Sequence, residues 1–425
     1  MTMIDAGYYV KQDIICIDNK SFFASVECVE RGLDPMTAEL CVVSRAESQG
    51  GLVLASSPEM KRKYNIRTGS RVHEIPKNKH IIIAPPQMRL YIERNRQINN
   101  IFKRYVAEED CHVYSIDETF LDVGKSHALF GTSYQIARQI QRDIYKEYGL
   151  PSCVGIGDNL LLAKLCLDNA AKKNPPYVAY WSYDRVPDTV WKIEDLQDFW
   201  GIGSQMKKRL YNLGIYTVEQ LAKTDIEKLK RNFGVIGEEL CLHANGIDLS
   251  IISEKYIPKS KSLSNSQILE RDYLDPKQIE IVISEMADHL STRLRSKGLM
   301  AKQIGLYVGY SYEVDVKSIA KQMQIQPTDM RHDLKQYLLN IFRNHYEEAT
   351  PVRRIGVSAS KLMAKQSLQL NLFEEPETIE NREELDLIID RLRGRYGYSS
   401  LVHASSLLAG GTAIRRSKLV GGHKG

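Results

Sequence analysis

Three carboxylates in this 425-residue chain stand where apolar, β-favouring runs break off. Asp18 follows "IICI", while Asp117 and Glu118 follow Val113, Tyr114 and Ile116 within "CHVYSIDETFLDV" (111–123). Adjacent like charges at a strand end repel each other and are costly to bury. A hard divalent cation gives a reason to place them there, because Mg²⁺ takes oxygen ligands in tight octahedral geometry. If the two strands lie side by side, the carboxylates converge on one edge and can hold two ions about 3.5–4 Å apart, which activates an attacking oxygen and neutralises a leaving pyrophosphate. Alone, "DE" after a strand is more often a surface turn; the motifs around it change that balance.

"SFFASVE" (21–27) puts Phe22 and Phe23 next to Asp18. At a helix start such rings are ordinarily core, and at least one is expected to be, yet Phe22 and Phe23 are also both candidates to line a nucleotide pocket beside the metal site. "SSPEMKRKYNIR" (56–67) places Ser56 and Ser57 before a short helix that carries Arg62 between Lys61 and Lys63, a pattern suited to cradling a triphosphate. "LLAKLCLDNAAKKNPP" (161–176) ends a helix with Lys172 and Lys173, where lysine also occurs simply to balance the helix dipole.

Several elements must position these groups. Residues 13–30 read as a buried strand, a turn around Asp18 to Lys20 and a helix; 38–44 and 51–56 read as strands, Pro58 to Tyr64 as a basic helix, and 80–86 as a strand ended by prolines. Helical periodicity over 89–106 leads into the strand bearing Asp117, and a helix (133–149), the strand "SCVGIG" and the "LAK" helix follow. The order implies an α+β fold with helices on one face of a sheet. Residues 185–248 read as short helices, a polar hinge introduces a block at 255–360, and the tail from 361 reads as flexible.

Composition, 43% hydrophobic and 26% charged, fits a multidomain globular chain and excludes disordered and fibrous classes. The net charge of +5 is modest, but "MKRKYNIR", "SQMKKRL" and "TRLRSKG" concentrate it in blocks that suit a polyanion as well as a solvated face. Seven cysteines without CxxC pairing read as buried thiols in a reducing compartment. With no secretory or membrane-length apolar segment, the expectation is a cytoplasmic protein without membrane association.

"ICIDNKSFFASVE", "YSIDETFLDV" and "SCVGIGDNLLLAKLCLDNAAKK", in this order and spacing, resemble the catalytic palm of Y-family translesion DNA polymerases, closest to the UmuC-like branch of Gram-positive bacteria, the UvrX type. The resemblance implies a right-hand polymerase: palm at 1–21 and 89–184, small fingers at 22–88, a helical thumb at 185–248, an α/β little finger at 255–360 and a tail at 361–425. It implies Asp18 and Asp117 as ligands of two Mg²⁺ ions (Mn²⁺ as a substitute), Glu118 completing the site near the primer 3′-hydroxyl, and the Asn19 carbonyl as a further candidate ligand. Phe23 falls on the steric gate that excludes a 2′-hydroxyl, Ser56 and Arg62 on positions that meet the triphosphate, and Lys172 or Lys173 on a basic position one residue later than in relatives. Lys20, Ser21 and Glu59 depart from the family, replacing an acid, an aromatic and a tyrosine, and put nucleotide affinity and fidelity in question.

"DLQDFWGIGSQMKKRLYNLGIYTVEQLAK" (195–223) is similar to a helix-hairpin-helix, in which Gly201 and Gly203 would let backbone N–H groups approach a DNA phosphate and Lys207 and Lys208 would add charge. Arg293, Arg295, Lys297 and Lys302 are candidates to straddle the duplex backbone. "QLNLF", with Gln369, Leu370, Leu372 and Phe373, resembles the peptide that docks on the bacterial β sliding clamp. The reading is an error-prone DNA polymerase acting on primer-template DNA and dNTPs in an SOS-type response, with SOS accessory proteins as further partners. Two alternatives remain beside it. A nucleotidyl cyclase would share the carboxylates but have no use for the hairpin or "QLNLF", and a catalytically weak DNA- and clamp-binding protein would act by occupancy.

Overall fold

The computed structural model describes residues 11–45, 51–254, 257–258, 260–347, 349–365 and 376–424. Contacts divide the chain into two compact units, Met1–Lys255 with His423–Gly425, and Tyr256–Gly422. Among the described residues no helix is long and apolar enough to cross a membrane.

The first unit opens on β1 (Ile14–Asn19). Its residues Ile14 to Ile17 are fully buried, as expected of a strand covered on both faces. Ser21, at φ 49°, reverses the chain into α1 (Phe22–Glu30). The chain then builds a separate three-stranded sheet from β2 (Leu40–Ser44), β3 (Leu52–Ser56) and, beyond α2 (Pro58–Tyr64), β4 (Ile82–Ala84). Helix α2 starts where its sequence says it should: Ser57 accepts the Met60 N–H, proline opens the first turn, and Asn65 closes the helix in the left-handed region.

Helix α3 (Met88–Phe102) brings the chain back to β5 (Cys111–Val113) and β6 (Glu118–Asp122). After α4 (His127–Phe130) and α5 (Ser133–Tyr148), β7 (Ser152–Gly157), α6 (Leu160–Cys166) and β8 (Val178–Trp181) complete a sheet in the order β5-β6-β1-β7-β8. β1 pairs antiparallel with both β6 and β7, and Asp18 stands opposite Glu118 in register. The strands bearing the carboxylates are therefore neighbours.

Two expectations need correction. Asp117 and Glu118 do not end a strand: β5 stops at Val113, and Ser115 Oγ accepts the N–H groups of Asp117 and Glu118 at 3.3 and 3.1 Å, turning the chain so that Glu118 opens β6. Helices also cover both faces of the sheet, not one. Ile15, Ile17 and Val154 pack with α3 and α5 through Ile98, Ile101, Ile140 and Ile144, while Cys16 and Phe120 on the other face pack with Ala163 of α6. That second layer needs bare backbone beneath it, since a Cβ on Gly155 or Gly157 would come within 2.2 Å of the Ala163 backbone. Four short helices, α7 (Ser204–Asn212), α8 (Val218–Lys223), α9 (Ile226–Phe233) and α10 (Val235–Ala244), close the unit around Leu210, Val218, Leu221 and Leu229.

The second unit is a four-stranded antiparallel sheet backed by two helices. β9 (Leu263–Tyr273), α11 (Pro276–Arg295), β10 (Leu299–Tyr310), β11 (Ile319–Thr328), α12 (Arg331–His345) and β12 (Val352–Ala364) follow in sequence, with sheet order β11-β10-β12-β9. The expectation of a flexible tail fails for its described part. α13 (Pro376–Tyr396) is a 21-residue helix that buries Ile379, Asp386, Ile389 and Arg393. Arg295, expected on DNA, is 5% exposed and is held by Asp390 at 2.6 Å and Asp386 at 3.0 Å, both on α13. Arg331 meets Asp386 at 3.2 Å, and Arg393 meets Asp288 at 2.7 Å. Removing one partner of such a buried network costs about 3–5 kcal/mol, because it strands the other charge. Arg295→Met should therefore lower the protection of α13 amides against hydrogen exchange by about that amount; unchanged protection would show that these ion pairs do not hold the tail.

Candidate active site

The register of β1 and β6 brings three carboxylates to one end of the sheet, and each already has a partner. Asp18 Oδ2 lies 3.0 Å from Lys172 Nζ, Asp117 Oδ1 accepts from Ser115 Oγ at 2.6 Å, and Glu118 Oε2 lies 2.7 Å from Lys164 Nζ. Cys16 donates to the other Glu118 oxygen at 3.2 Å. Asp168, one turn along the same helix, takes Lys164 at 3.0 Å and Lys172 at 2.8 Å. Because these side chains turn toward internal partners, no three His, Cys, Asp or Glu among the described residues converge closely enough to share a metal ion. The donor chemistry nonetheless suits a hard cation. Asp18 and Glu118 sit on paired strands with Asp117 in the turn beside them, and the Asn19 side-chain oxygen is buried with no donor among the described residues, while the Asn19 N–H donates to the Asp117 carbonyl at 3.0 Å.

Burial and neighbouring charge both act on these groups. Burial pushes Asp18 from 3.8 to about 6, and Asp117 and Glu118 push the same way, against Lys172. Burial opposes the charge on Lys172, but Asp18 and Asp168 outweigh it and hold the ammonium well above its ordinary range. Acid and base thus shift upward for different reasons: Asp18 chiefly because it is buried, Lys172 because two carboxylates flank it.

A cavity of about 660 Å³ opens in front of the carboxylates, within the size range of small-molecule sites. Phe22 and Phe23 both line it: Phe23 is stacked on Tyr91 with centroids 4.3 Å apart, while Phe22 is 2% exposed and packs into the core as well. Ser56 is fully buried and its hydroxyl donates to the Ile66 carbonyl at 2.7 Å, so that group is already engaged. Arg62 borders the cavity, but its side chain is 68% exposed and its guanidinium donates two hydrogen bonds to Glu59 at 2.6 and 2.8 Å. Lys61, one residue earlier on α2, turns inward instead and donates to Ser21 Oγ at 2.8 Å. It lines the cavity, and its ammonium is held below its ordinary range: desolvation pushes it down, Asp18 pulls it up, and Lys172 and Lys20 push it down again. Lys20 lies 3.6 Å over the Tyr177 ring and donates to the Lys172 carbonyl at 3.3 Å, closing a helix end.

The choice between Lys172 and Lys173 turns on one feature of the backbone. α6 continues into a π turn, Leu167–Ala171, whose bond from the Lys172 N–H to the Leu167 carbonyl spans five residues. A π turn takes up one extra residue within a helix. Lys172 thereby reaches Asp18; Lys173 lines the same cavity without meeting it in any described ion pair.

The expected DNA-binding residues divide. Gly201 adopts φ 97°, open only to glycine, and Gly203 caps α7 with open space where a side chain would stand. Lys208 is exposed, but Lys207 is taken by both Asp195 oxygens at 2.7 and 2.9 Å. In the second unit Lys297 and Lys302 are exposed, Arg293 donates to the Ser264 carbonyl at 2.8 Å, and Arg295 is withdrawn as described. Gln369, Leu370, Leu372 and Phe373 lie outside the described residues. Lys164 and Asp168 are site residues that the sequence reading does not single out, although the four-residue spacing of Lys164, Asp168 and Lys172 is a visible helical charge pattern; Lys61, named there only as a neighbour of Arg62, is the nearer of the two to the carboxylates' charge.

The Asp18 shift has a definite sign. A carboxyl whose folded pKa lies above its unfolded value adds stability that is fully present below about pH 4 and is lost as the pH rises through about 6. In chelator-containing buffer the first unit should gain up to roughly 3 kcal/mol of stability between pH 7 and pH 4 from this group, and Asp18→Asn should remove that slope. Denaturant titrations at several pH values would read it; an equal slope in both proteins would contradict the assignment.

The impB/mucB/samB family pattern matches residues 17–168, its C-terminal domain pattern residues 260–372, and the thumb domain pattern of DNA polymerase-iota residues 197–248. The chain is 40% identical over 423 residues to UvrX of Bacillus subtilis (strain 168), a protein named for UV-damage repair, covering 99% of this chain and 100% of that one. It is 32% identical to DNA polymerase IV 2 of the same organism, with 96% and 98% coverage, and 32% identical to DNA polymerase IV of Moorella thermoacetica, with 94% and 97%. Among solved structures, a Y-family DNA polymerase chimera of Dbh and Dpo4 superposes with a TM-score of 0.67 at 22% identity, over 83% of this chain and 100% of the other, which supports the fold. Matched along nearly its whole length by proteins named as DNA polymerases, and in three regions by polymerase-family patterns, the chain belongs to the impB/mucB/samB family and is a UmuC-like Y-family DNA polymerase.

Proposed function

We propose that this polymerase adds dNTPs to a primer opposite damaged template by two-metal nucleotidyl transfer, with low fidelity, as part of an SOS-type damage response in the cytoplasm. The observation that carries this reading is the in-register placement of Asp18 against Glu118, with Asp117 beside them in the wall of a nucleotide-sized cavity. Asp18 and Asp117 would hold both Mg²⁺ ions, with Mn²⁺ as a substitute, Glu118 would complete the site and Asn19 is a candidate to supply a further oxygen. Bound there, the ions supply the charge that activates the primer 3′-hydroxyl and neutralises the leaving pyrophosphate.

The chain's own residues bind and orient. Lys61, Lys172 and Lys173 line the cavity as cations for a triphosphate, with Arg62 at its rim. Phe23, braced by Tyr91, walls the sugar position and excludes a 2′-hydroxyl. Gly201, Gly203 and Lys208 offer backbone N–H groups and charge to a DNA phosphate irrespective of sequence. Lys297 and Lys302 are candidates for the same role in the second unit. Residues 369–373 are the proposed docking peptide for the β sliding clamp, and SOS accessory proteins are proposed as further partners.

Primer extension on undamaged and abasic templates tests the reading. With Mg²⁺ the wild-type chain should extend both, and Asp117→Ala/Glu118→Ala should lower the rate by about 1,000-fold or more while leaving DNA binding intact, the scale expected when groups stabilising transition-state charge are removed. DNA and clamp binding without extension by wild type would favour action by occupancy. Phe23→Ala should raise ribonucleotide use relative to deoxyribonucleotide by at least about tenfold; unchanged discrimination would move the gate elsewhere.

A further inference from the structure

Lys172 makes contacts that a triphosphate ligand alone would not require. Its ammonium lies between Asp18 and Asp168, at 3.0 and 2.8 Å, and Asp168 in turn joins Lys164, which holds Glu118. Two lysines thus alternate with three carboxylates in one ladder: Asp18, Lys172, Asp168, Lys164, Glu118. The π turn is what admits Lys172 to it. In an uninterrupted α-helix the preceding residue, Ala171, would occupy its place.

We propose that Lys172 is a placeholder cation. Parked between Asp18 and Asp168, it neutralises Asp18 before a divalent ion arrives, then releases Asp18 to that ion and passes its charge to the incoming triphosphate. The inference rests on the two-metal reading above. It makes the first metal site weak by itself and ties its filling to nucleotide, because the ion must displace a cation that has somewhere to go only when triphosphate is present. Asp168 is a positioning residue: it shares Lys172 with Asp18 and so lightens the hold that an ion must break.

The test is Mn²⁺ titration of the full chain without nucleotide, read by the electron paramagnetic resonance of free Mn²⁺. Lys172→Met should tighten binding by about tenfold or more, since a positive charge is removed from within about 4 Å of the site. Asp168→Asn, which leaves Lys172 to Asp18 alone, should weaken binding several-fold. A purely structural role would not move the two variants in opposite directions. Adding a non-hydrolysable dNTP should tighten Mn²⁺ binding in wild type and much less in Lys172→Met. Binding in Lys172→Met equal to or weaker than wild type would overturn the inference, as would Asp168→Asn binding at least as tightly as wild type if Lys172→Met does not fold. Asp117→Ala separates the two claims: Mn²⁺ binding insensitive to it, or no binding by any variant, would sink the two-metal reading and this one with it, whereas sensitive binding with no response at Lys172 would sink this one alone.

Discussion

An excess of buried negative charge at one end of a sheet is the constraint on which the rest of the first unit depends. Asp18 and Glu118 face each other because β1 and β6 pair in register, and Asp117 is fixed beside them by the Ser115 turn. Left without counter-charge, such a cluster would protonate or pull the strands apart. The chain answers with lysines from a single helix, Lys164 and Lys172, joined through Asp168. Even with Lys172 beside it, burial keeps Asp18 raised to about 6.

Backbone geometry then follows from where those lysines must arrive. The helix carrying them has to lie flat on β7, and only glycine at 155 and 157 permits that approach. It must also rotate late in its course to deliver Lys172, which the π turn accomplishes. The opposite wall of the cavity comes from the small sheet and α2, where Lys61 turns inward and Arg62 outward to Glu59. A carboxylate cluster thus opens onto a cavity lined with flexible ammonium groups, an arrangement suited to taking in metal ions and a polyphosphate together.

Much of this was legible in the sequence because it is written in local patterns. The four-residue apolar run before Asp18, the serine and proline at the head of α2, and the small residues of "SCVGIG" each encode their element directly. What could not be read depends on rotation or on partners distant in sequence. On a helix, adjacent residues point 100° apart, so choosing Arg62 over Lys61 required knowing which face of α2 met the cavity. Strand and turn assignments for 111–123 missed the break because Ser115 acts through side-chain bonds to the backbone rather than through apolar periodicity. The tail looked flexible since α13 turns Asp386 and Arg393 inward along with Ile379 and Ile389, and polar residues facing ion partners leave no apolar stripe to read. Arg295 looked like a DNA contact for the same reason.

The most direct test of the account is a crystal structure of the full chain with primer-template, a non-hydrolysable dNTP and Mg²⁺. The account predicts metal density held by Asp18 and Asp117, with the Lys172 ammonium moved from Asp18 to the triphosphate. Metal ions bound elsewhere, with Lys172 still seated on Asp18, would contradict it.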